Sequence, residues 1–241
     1  MIITGANVTH ANLQDEPFWT QLIEVINWAD KIVTSTMTSC LATHAVMQFR
    51  YQQPRSALKQ KCWGVYQHHV IQKHPLVNAV NSQFNVPHSR YNQITEAQCQ
   101  AANLKVLVTS EAAGIHLMTS QDGFKLVMFQ GHLEYDAISL LKEYKRETAL
   151  FFAKKRQTYP IFPENYFNQK TQTILREYEY YQATKKLEFP EKLIAKMLKN
   201  TWHDTASAIV GNWIGLVYQV THPKRHHQYM DGISSENPLN L

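Results

Sequence analysis

The sequence predicts an α/β fold in which a mostly parallel sheet is flanked by helices. Three observations predict it. Short runs of apolar and β-branched residues alternate along the chain with segments whose apolar residues recur at helical spacing. The first four elements read strand, helix, strand, helix, with connections short enough for parallel pairing. The composition is globular: 44% hydrophobic and 11% aromatic over 241 residues, enough apolar surface for one sizeable core rather than a disordered chain.

The elements follow in order. "MIITGA" (1–6) reads as a short buried strand ending at a glycine. "EPFWTQLIEVINWADK" (16–31) places Phe18, Leu22, Val25 and Ile26 on one helical face. "KIVTSTM" (31–37) is β-branched and alternates as a strand does, and "LATHAVMQFRY" (41–51) returns to helical spacing. Residues 61–72, "KCWGVYQHHVIQ", form a strand or a pair of strands, and "PHSRYNQI" (87–94) reads as a loop. A short helix covers 95–102, and strands follow at 104–110 and 113–120. Gln121-Asp122-Gly123 is a hairpin signal, after which "FKLVMFQ" (124–130) is the next strand. A long helix is expected over 136–157, with the basic cluster Lys154-Lys155-Arg156 late in it, where cations suit the dipole. A charged, helix-rich stretch fills 164–200, an amphipathic helix covers 201–220, and the residues from His222 form a loose tail. No repeat or linker divides the chain, so 1–241 is expected to be a single domain.

Composition narrows the function. The net charge of +5 lacks the basic stripe with interleaved aromatics that nucleic acid requires, and suits a small anionic ligand instead. No apolar run reaches the length of a membrane span, and no signal peptide is evident, so a cytoplasmic protein is expected. The three cysteines match no metal-binding spacing and do not form a disulfide framework. Twelve histidines are many, but the adjacent pairs His68-His69 and His226-His227 do not face one way, and no His-x-x-x-His encloses a glutamate. No metal site is expected.

The chemistry centres on Cys40. It follows a predicted parallel strand and precedes a predicted helix, at the sheet edge where open α/β folds place their sites. The helix N-terminus there stabilises a thiolate. Cys40 is therefore either a small buried apolar residue or a nucleophile. A free thiol, with a pKa of about 8.5, needs a base beside it. His132, in Gly131-His132-Leu133-Glu134, stands at the end of another predicted strand, and Glu134 is placed to orient the imidazole.

Several stretches together carry a resemblance. Thr4-Gly5-Ala6, "VTST" leading to Cys40, "GVYQHH" (64–69), "PHSRY" (87–91), "GHLEYDA" (131–137) and "NWIGLVYQVT" (212–221) span nearly the whole chain. In that order and spacing the chain resembles the homoserine O-succinyltransferase and O-acetyltransferase family, built on the three-layer, flavodoxin-like class I glutamine amidotransferase fold. The resemblance implies that Cys40 attacks an acyl-CoA thioester, with His132 as base, Glu134 as its orienting partner and the Leu41 N–H in the oxyanion hole. Lys61, Ser89 and Arg146 would line the homoserine pocket, Arg146 clamping the carboxylate, and Glu143 would lie near the amino group. The substrates implied are L-homoserine and succinyl-CoA or acetyl-CoA, in methionine biosynthesis. No bound cofactor is implied, and the family precedent is a homodimer.

The chain also departs from the family pattern. It carries less sequence before the first strand, so that strand would leave a sheet edge open. The position associated with acyl choice, glycine for succinyl and glutamate for acetyl, is Thr9 here, which excludes neither donor. His44 stands where glutamine is usual, "HLE" replaces "HPE", and Val80-Asn81-Ser82 lack the family's acidic pair. Serine as acceptor, a cysteine hydrolase or amidotransferase-like activity on the same triad, and a non-catalytic binding relative are the alternatives.

Overall fold

The computed structural model describes residues 1–6, 8, 10–185, 187–224 and 227–241. Its sheet has seven strands: β1 (Ile2–Ile3), β2 (Thr36–Ser39), β3 (Ser56–Val70), β4 (Gln83–Gln93), β5 (Lys105–Ser110), β6 (Gly114–Thr119) and β7 (Leu126–Phe129). They lie side by side in the order β1-β2-β7-β6-β5-β3-β4. Helices α1 (Trp19–Ile32), α2 (Leu41–Tyr51), α3 (Glu96–Ala101), α4 (Ser139–Phe152), α5 (Gln169–Lys185), α6 (Glu191–Ala195) and α7 (His203–Val220) surround it.

The α/β class is as expected, but the sheet is mixed rather than mostly parallel. β1–β2 and β2–β7 are parallel, whereas β7–β6, β6–β5, β5–β3 and β3–β4 are antiparallel. Parallel neighbours need a crossover such as α1, while short turns can only reverse the chain. Gln121-Asp122-Gly123 is such a turn, with Gly123 at φ 84°, and it joins β6 to β7 as the sequence suggests.

Strand periodicity builds the layers. Val127 and Phe129 pack with Ile209, Trp213 and Val220 of α7 on one face. Leu126 and Met128 pack with Ile26 of α1 and with Val46 and Met47 of α2 on the other, as a period of two requires. A further core joins Trp63 and Val65 of β3 to α4, α5 and α6 through Leu141, Tyr144, Leu175 and Ile194.

Three further expectations need correction. Residues 87–93, read as a loop, belong to β4, which pairs with β3 from Ser56↔Gln93 to His69↔Gln83. β4 is the outer strand of the sheet, and an edge position tolerates Pro87, which has no N–H to donate. α4 ends at Phe152, so Lys154-Lys155-Arg156 lies beyond the helix, where Lys154 turns the chain at φ 58°. The segment after His222 is not loose where it is described. Gln228 donates to the carbonyls of Asp30 and Val33, and Tyr229, Ile233 and Leu239 pack on the α7 side of the core.

Candidate active site

β2 and β7 are parallel neighbours with Ser39 opposite Phe129. Both chains therefore leave the sheet at the same level. Cys40 N–H donates to Phe129 O at 2.8 Å, which fixes the cysteine beside the segment that leads on to His132. Cys40 is a half-buried free thiol at the N-cap of α2, with φ 53° and ψ −113°. A non-glycine residue in that region is strained. Such a strand–turn–helix elbow lifts a nucleophile off the sheet edge and holds it against the helix N-terminus.

His132 is buried, and its backbone N–H donates to Pro87 O at 2.8 Å. Its Nδ1–H donates to Glu134 Oε1 at 2.9 Å, and its ring hydrogen-bonds the Cys40 side chain. Burial works to lower the His132 pKa. The hydrogen bonds to Cys40 and Glu134 and their negative charges outweigh it and push it up to about 10. Burial conversely favours the neutral form of Glu134, but hydrogen bonding and charge from His132 leave its pKa below the ordinary carboxylate value. Ser39 Oγ–H also donates to Glu134 Oε1 at 2.9 Å, and the Tyr135 ring stacks on the imidazole with centroids 4.1 Å apart. Cys40, His132 and Glu134 are thus hydrogen-bonded in that order.

A second group gathers on Glu143. Its Oε2 accepts from Ser89 Oγ at 2.6 Å and from Trp63 Nε1 at 3.0 Å, with Lys61 Nζ at 3.5 Å, while Oε1 accepts from Tyr135 O–H at 2.8 Å. Lys61, Ser89 and Glu143, expected in the substrate pocket, therefore meet. Arg146 is more exposed, 3.6 Å from Glu147, and borders two cavities that both reach Cys40. Leu41 opens α2, so its N–H is one of the donors an α-helix leaves unpaired, and the Gly5 backbone lies against Cys40 and Leu41. Thr9 lies outside the described residues. His44 is buried, its Nε2 lies 3.4 Å from Gln130 Oε1, and desolvation lowers its pKa to about 3. Sequence reasoning missed Ser39, Tyr135 and Trp63. The first two are chain neighbours of residues it did select.

It also missed a buried stack beneath the site. His68, His88 and His116 bring their ring nitrogens within 4.8 Å of one another. Their hydrogen-bond partners assign the protons. Arg90 Nε–H donates to His88 Nδ1 and Gly131 N–H to His116 Nδ1, so both rings carry their proton on Nε2. His88 Nε2–H then donates to His68 Nε2 at 3.2 Å, and His68 Nδ1–H donates to Tyr66 O at 2.9 Å. A metal ion on the three Nε2 atoms would have to strip protons from His88 and His116 beside the Arg90 cation. The stack suits hydrogen bonding under Gly131–His132 better than metal ligation.

Among the described residues no helix is long and apolar enough to cross a membrane. Two solved structures share the fold at low identity. A glutamine amidotransferase from Thermotoga maritima matches at TM-score 0.51 and 12% identity, covering 88% of this chain and 76% of its own. One from Methylobacillus flagellatus matches at 0.50 and 12%, covering 92% and 78%. These show the class I glutamine amidotransferase-like fold. Sequence relatives are far nearer. The homoserine O-succinyltransferase of Allochromatium vinosum is 56% identical over 248 residues, spanning all of this chain and 70% of the relative. That of Thiobacillus denitrificans is 55% identical over 243 residues, spanning all of this chain and 69% of the relative. The family model for homoserine O-succinyltransferase matches residues 1–223. This chain belongs to the homoserine O-succinyltransferase family.

Proposed function

We propose that the protein transfers a succinyl group from succinyl-CoA to the hydroxyl of L-homoserine through a thioester on Cys40. The observation that carries the reading is the strained Cys40 at the α2 N-terminus with the His132–Glu134 pair hydrogen-bonded to it. The names of the relatives support the succinyl donor and the homoserine acceptor.

His132, whose pKa the hydrogen bonds and charges of Cys40 and Glu134 raise, takes the proton of the Cys40 thiol. The sulfur attacks the thioester carbonyl of the donor. The oxyanion that forms is met by the Leu41 N–H and by the backbone around Gly5, groups fixed before reaction, which is where such stabilisation is most effective. The intermediate expels CoA thiolate, and the His132 imidazolium donates the proton that makes free CoA. The neutral imidazole then takes the proton of the homoserine hydroxyl as that oxygen attacks the acyl-enzyme carbonyl, and Cys40 leaves as thiolate beside a regenerated imidazolium. Glu134 holds the ring in the tautomer both steps need. Glu143 and Arg146 would receive the amino and carboxylate groups of the acceptor, the planar guanidinium suiting a carboxylate. CoA and the acyl group are substrates in this scheme, and the chemistry needs no resident cofactor.

The test is CoA release from succinyl-CoA or acetyl-CoA with homoserine, serine or no acceptor, comparing wild type with Cys40→Ser. Homoserine-dependent release with succinyl-CoA, lost in Cys40→Ser, is expected. Release without an acceptor would make the protein a thioesterase, and preference for acetyl-CoA or serine would overturn the assigned donor or acceptor.

A further inference from the structure

Cys40 stands between two cavities. The larger, about 470 Å³, is lined by His132, Glu134, Tyr135 and Glu143. The acceptor hydroxyl must reach His132, so it enters here. The smaller, about 230 Å³, opens on the Leu41 and His44 side of the sulfur and contains neither His132 nor Glu134. It is strongly cationic: Arg55, Lys61, Arg90 and Arg146 line it against the one carboxylate of Glu147. An apolar acetyl group has no use for such a lining, whereas an acyl chain ending in a carboxylate does.

The four cations are not equally engaged. Lys61 faces Glu143 at 3.5 Å and Arg146 faces Glu147 at 3.6 Å. Arg90 donates to His88 Nδ1 and to the carbonyls of Asn92 and Ala113. Arg55 donates through Nη2 to the backbone carbonyls of His10 and Ala11, at 2.9 and 3.0 Å, and its Nε is buried with no hydrogen-bond partner among the described residues. The charges that bear on it are Glu16 and Cys40 itself. Glu16 accepts from the His10 N–H at 2.7 Å and lies 3.4 Å from His10 Nδ1. Arg55 is thus tethered by neutral carbonyls at the wall of a cavity that opens onto the nucleophile.

We propose that the smaller cavity is the acyl subsite and that Arg55 binds the terminal carboxylate of a dicarboxylic acyl group carried by Cys40. In a succinyl thioester that carboxylate lies two methylenes beyond the reacting carbonyl, so its partner must be a cation inside the same cavity, which Arg55 lines with Cys40. Arg55 then acts as a specificity residue: it rewards the dicarboxylic donor and is indifferent to acetyl. The assignment rests on the acyl-enzyme reading above, and it supplies that reading with a reason for succinyl over acetyl.

Two measurements on wild type, Arg55→Gln and Arg55→Lys test it. The first is kcat/KM with succinyl-CoA and with acetyl-CoA at saturating homoserine. Arg55→Gln should lose on the order of 10- to 100-fold with succinyl-CoA, the worth of a charge-assisted hydrogen bond, and stay within about twofold with acetyl-CoA; Arg55→Lys should keep part of the preference. The second needs no turnover: the rate of Cys40 alkylation by anionic iodoacetate relative to neutral iodoacetamide. Arg55→Gln should lower that ratio several-fold, the iodoacetamide rate correcting for any change in the thiol itself. An equal loss with both donors, or an unchanged alkylation ratio, would overturn the subsite and make Arg55 a fastener of the 10–11 loop. Absence of turnover in wild type, together with an alkylation ratio that still depends on Arg55, would sink the acyltransferase reading and leave the anion subsite standing.

Discussion

Replacement of Gly131 by alanine tests how tightly His132 is held. Gly131 has no left-handed φ, so conformational freedom is not why glycine is there. The reason is space. A Cβ on Gly131 would lie 2.6 Å from Val86 Cγ1, 2.7 Å from His88 Nε2 and 2.9 Å from His88 Cε1, roughly an ångström inside ordinary carbon contact. Neither neighbour can yield cheaply. Val86 and His88 are fully buried, and His88 is held by Arg90 on one side and His68 on the other. Overpacking of this kind costs about 1–3 kcal/mol. Loss of glycine entropy from the unfolded chain returns about 0.4–1 kcal/mol, which leaves a net loss of up to about 2.6 kcal/mol, about 1.3 kcal/mol at the middle of both ranges. In a chain of this size that middle value lowers Tm by about 3–5 °C. The strain also has a direction. Gly131 N–H is bonded to His116 Nδ1, and the next N–H, of His132, to Pro87 O. Pushing Gly131 off β4 therefore moves the imidazole, and a displacement near 1 Å costs about 100-fold in rate. Thermal unfolding gives the first quantity, and CoA release under conditions where the variant is folded gives the second. Wild-type Tm together with wild-type kcat in Gly131→Ala would refute the claim that the histidine stack positions His132.

Other outcomes follow from the same geometry. Glu134→Gln removes the carboxylate that helps raise His132 to about 10, so the alkaline limb of the activity profile should move to lower pH and kcat should fall by about 100-fold or more; an unmoved limb would count against the pairing. In wild type, His132 is raised above its unfolded value of 6.5, so its contribution to stability is fully present below about pH 6.5 and is lost as pH rises through about 10. His44, His68 and His74 are lowered to about 3, 4 and 4, first of all by burial. Their contribution is present above about pH 6.5 and is lost as pH falls toward 4, so urea midpoints should drop steeply across that window, and a flat acid profile would contradict neutral burial. Ser89→Ala removes the 2.6 Å hydrogen bond to Glu143 and should raise KM for homoserine several-fold with less effect on donor-only acylation; a change confined to the donor would misplace the acceptor.

The placement of much of the candidate site was legible because its residues sit at element boundaries. Cys40 falls where β-branched alternation gives way to helical spacing, and His132 follows a clear strand after a clear turn. Parallel pairing of β2 with β7 then brings the two ends level, which only the sheet order could show. β4 was not legible. Pro87, Ser89 and Arg90 break the apolar alternation of a strand, because this strand buries hydrogen-bonded polar groups under the site. The His68–His88–His116 stack was hidden for a different reason. Its members come from β3, β4 and β6, and no spacing rule links strands joined only by tertiary pairing. The length of α4 was overestimated because Lys154 and its neighbours have good helix propensity, while the turn at Lys154 that ends it leaves no mark in the sequence.

The central claim is a covalent acyl-enzyme on Cys40. The most direct measurement is intact-mass and peptide-mapping analysis of the protein mixed with succinyl-CoA, acid-quenched before and after addition of L-homoserine. The account predicts one succinyl group on the Cys40 peptide, absent in Cys40→Ser and discharged as the O-succinyl ester when homoserine is added. Product formation with Cys40 unmodified at every time, or undiminished turnover by Cys40→Ser, would contradict it.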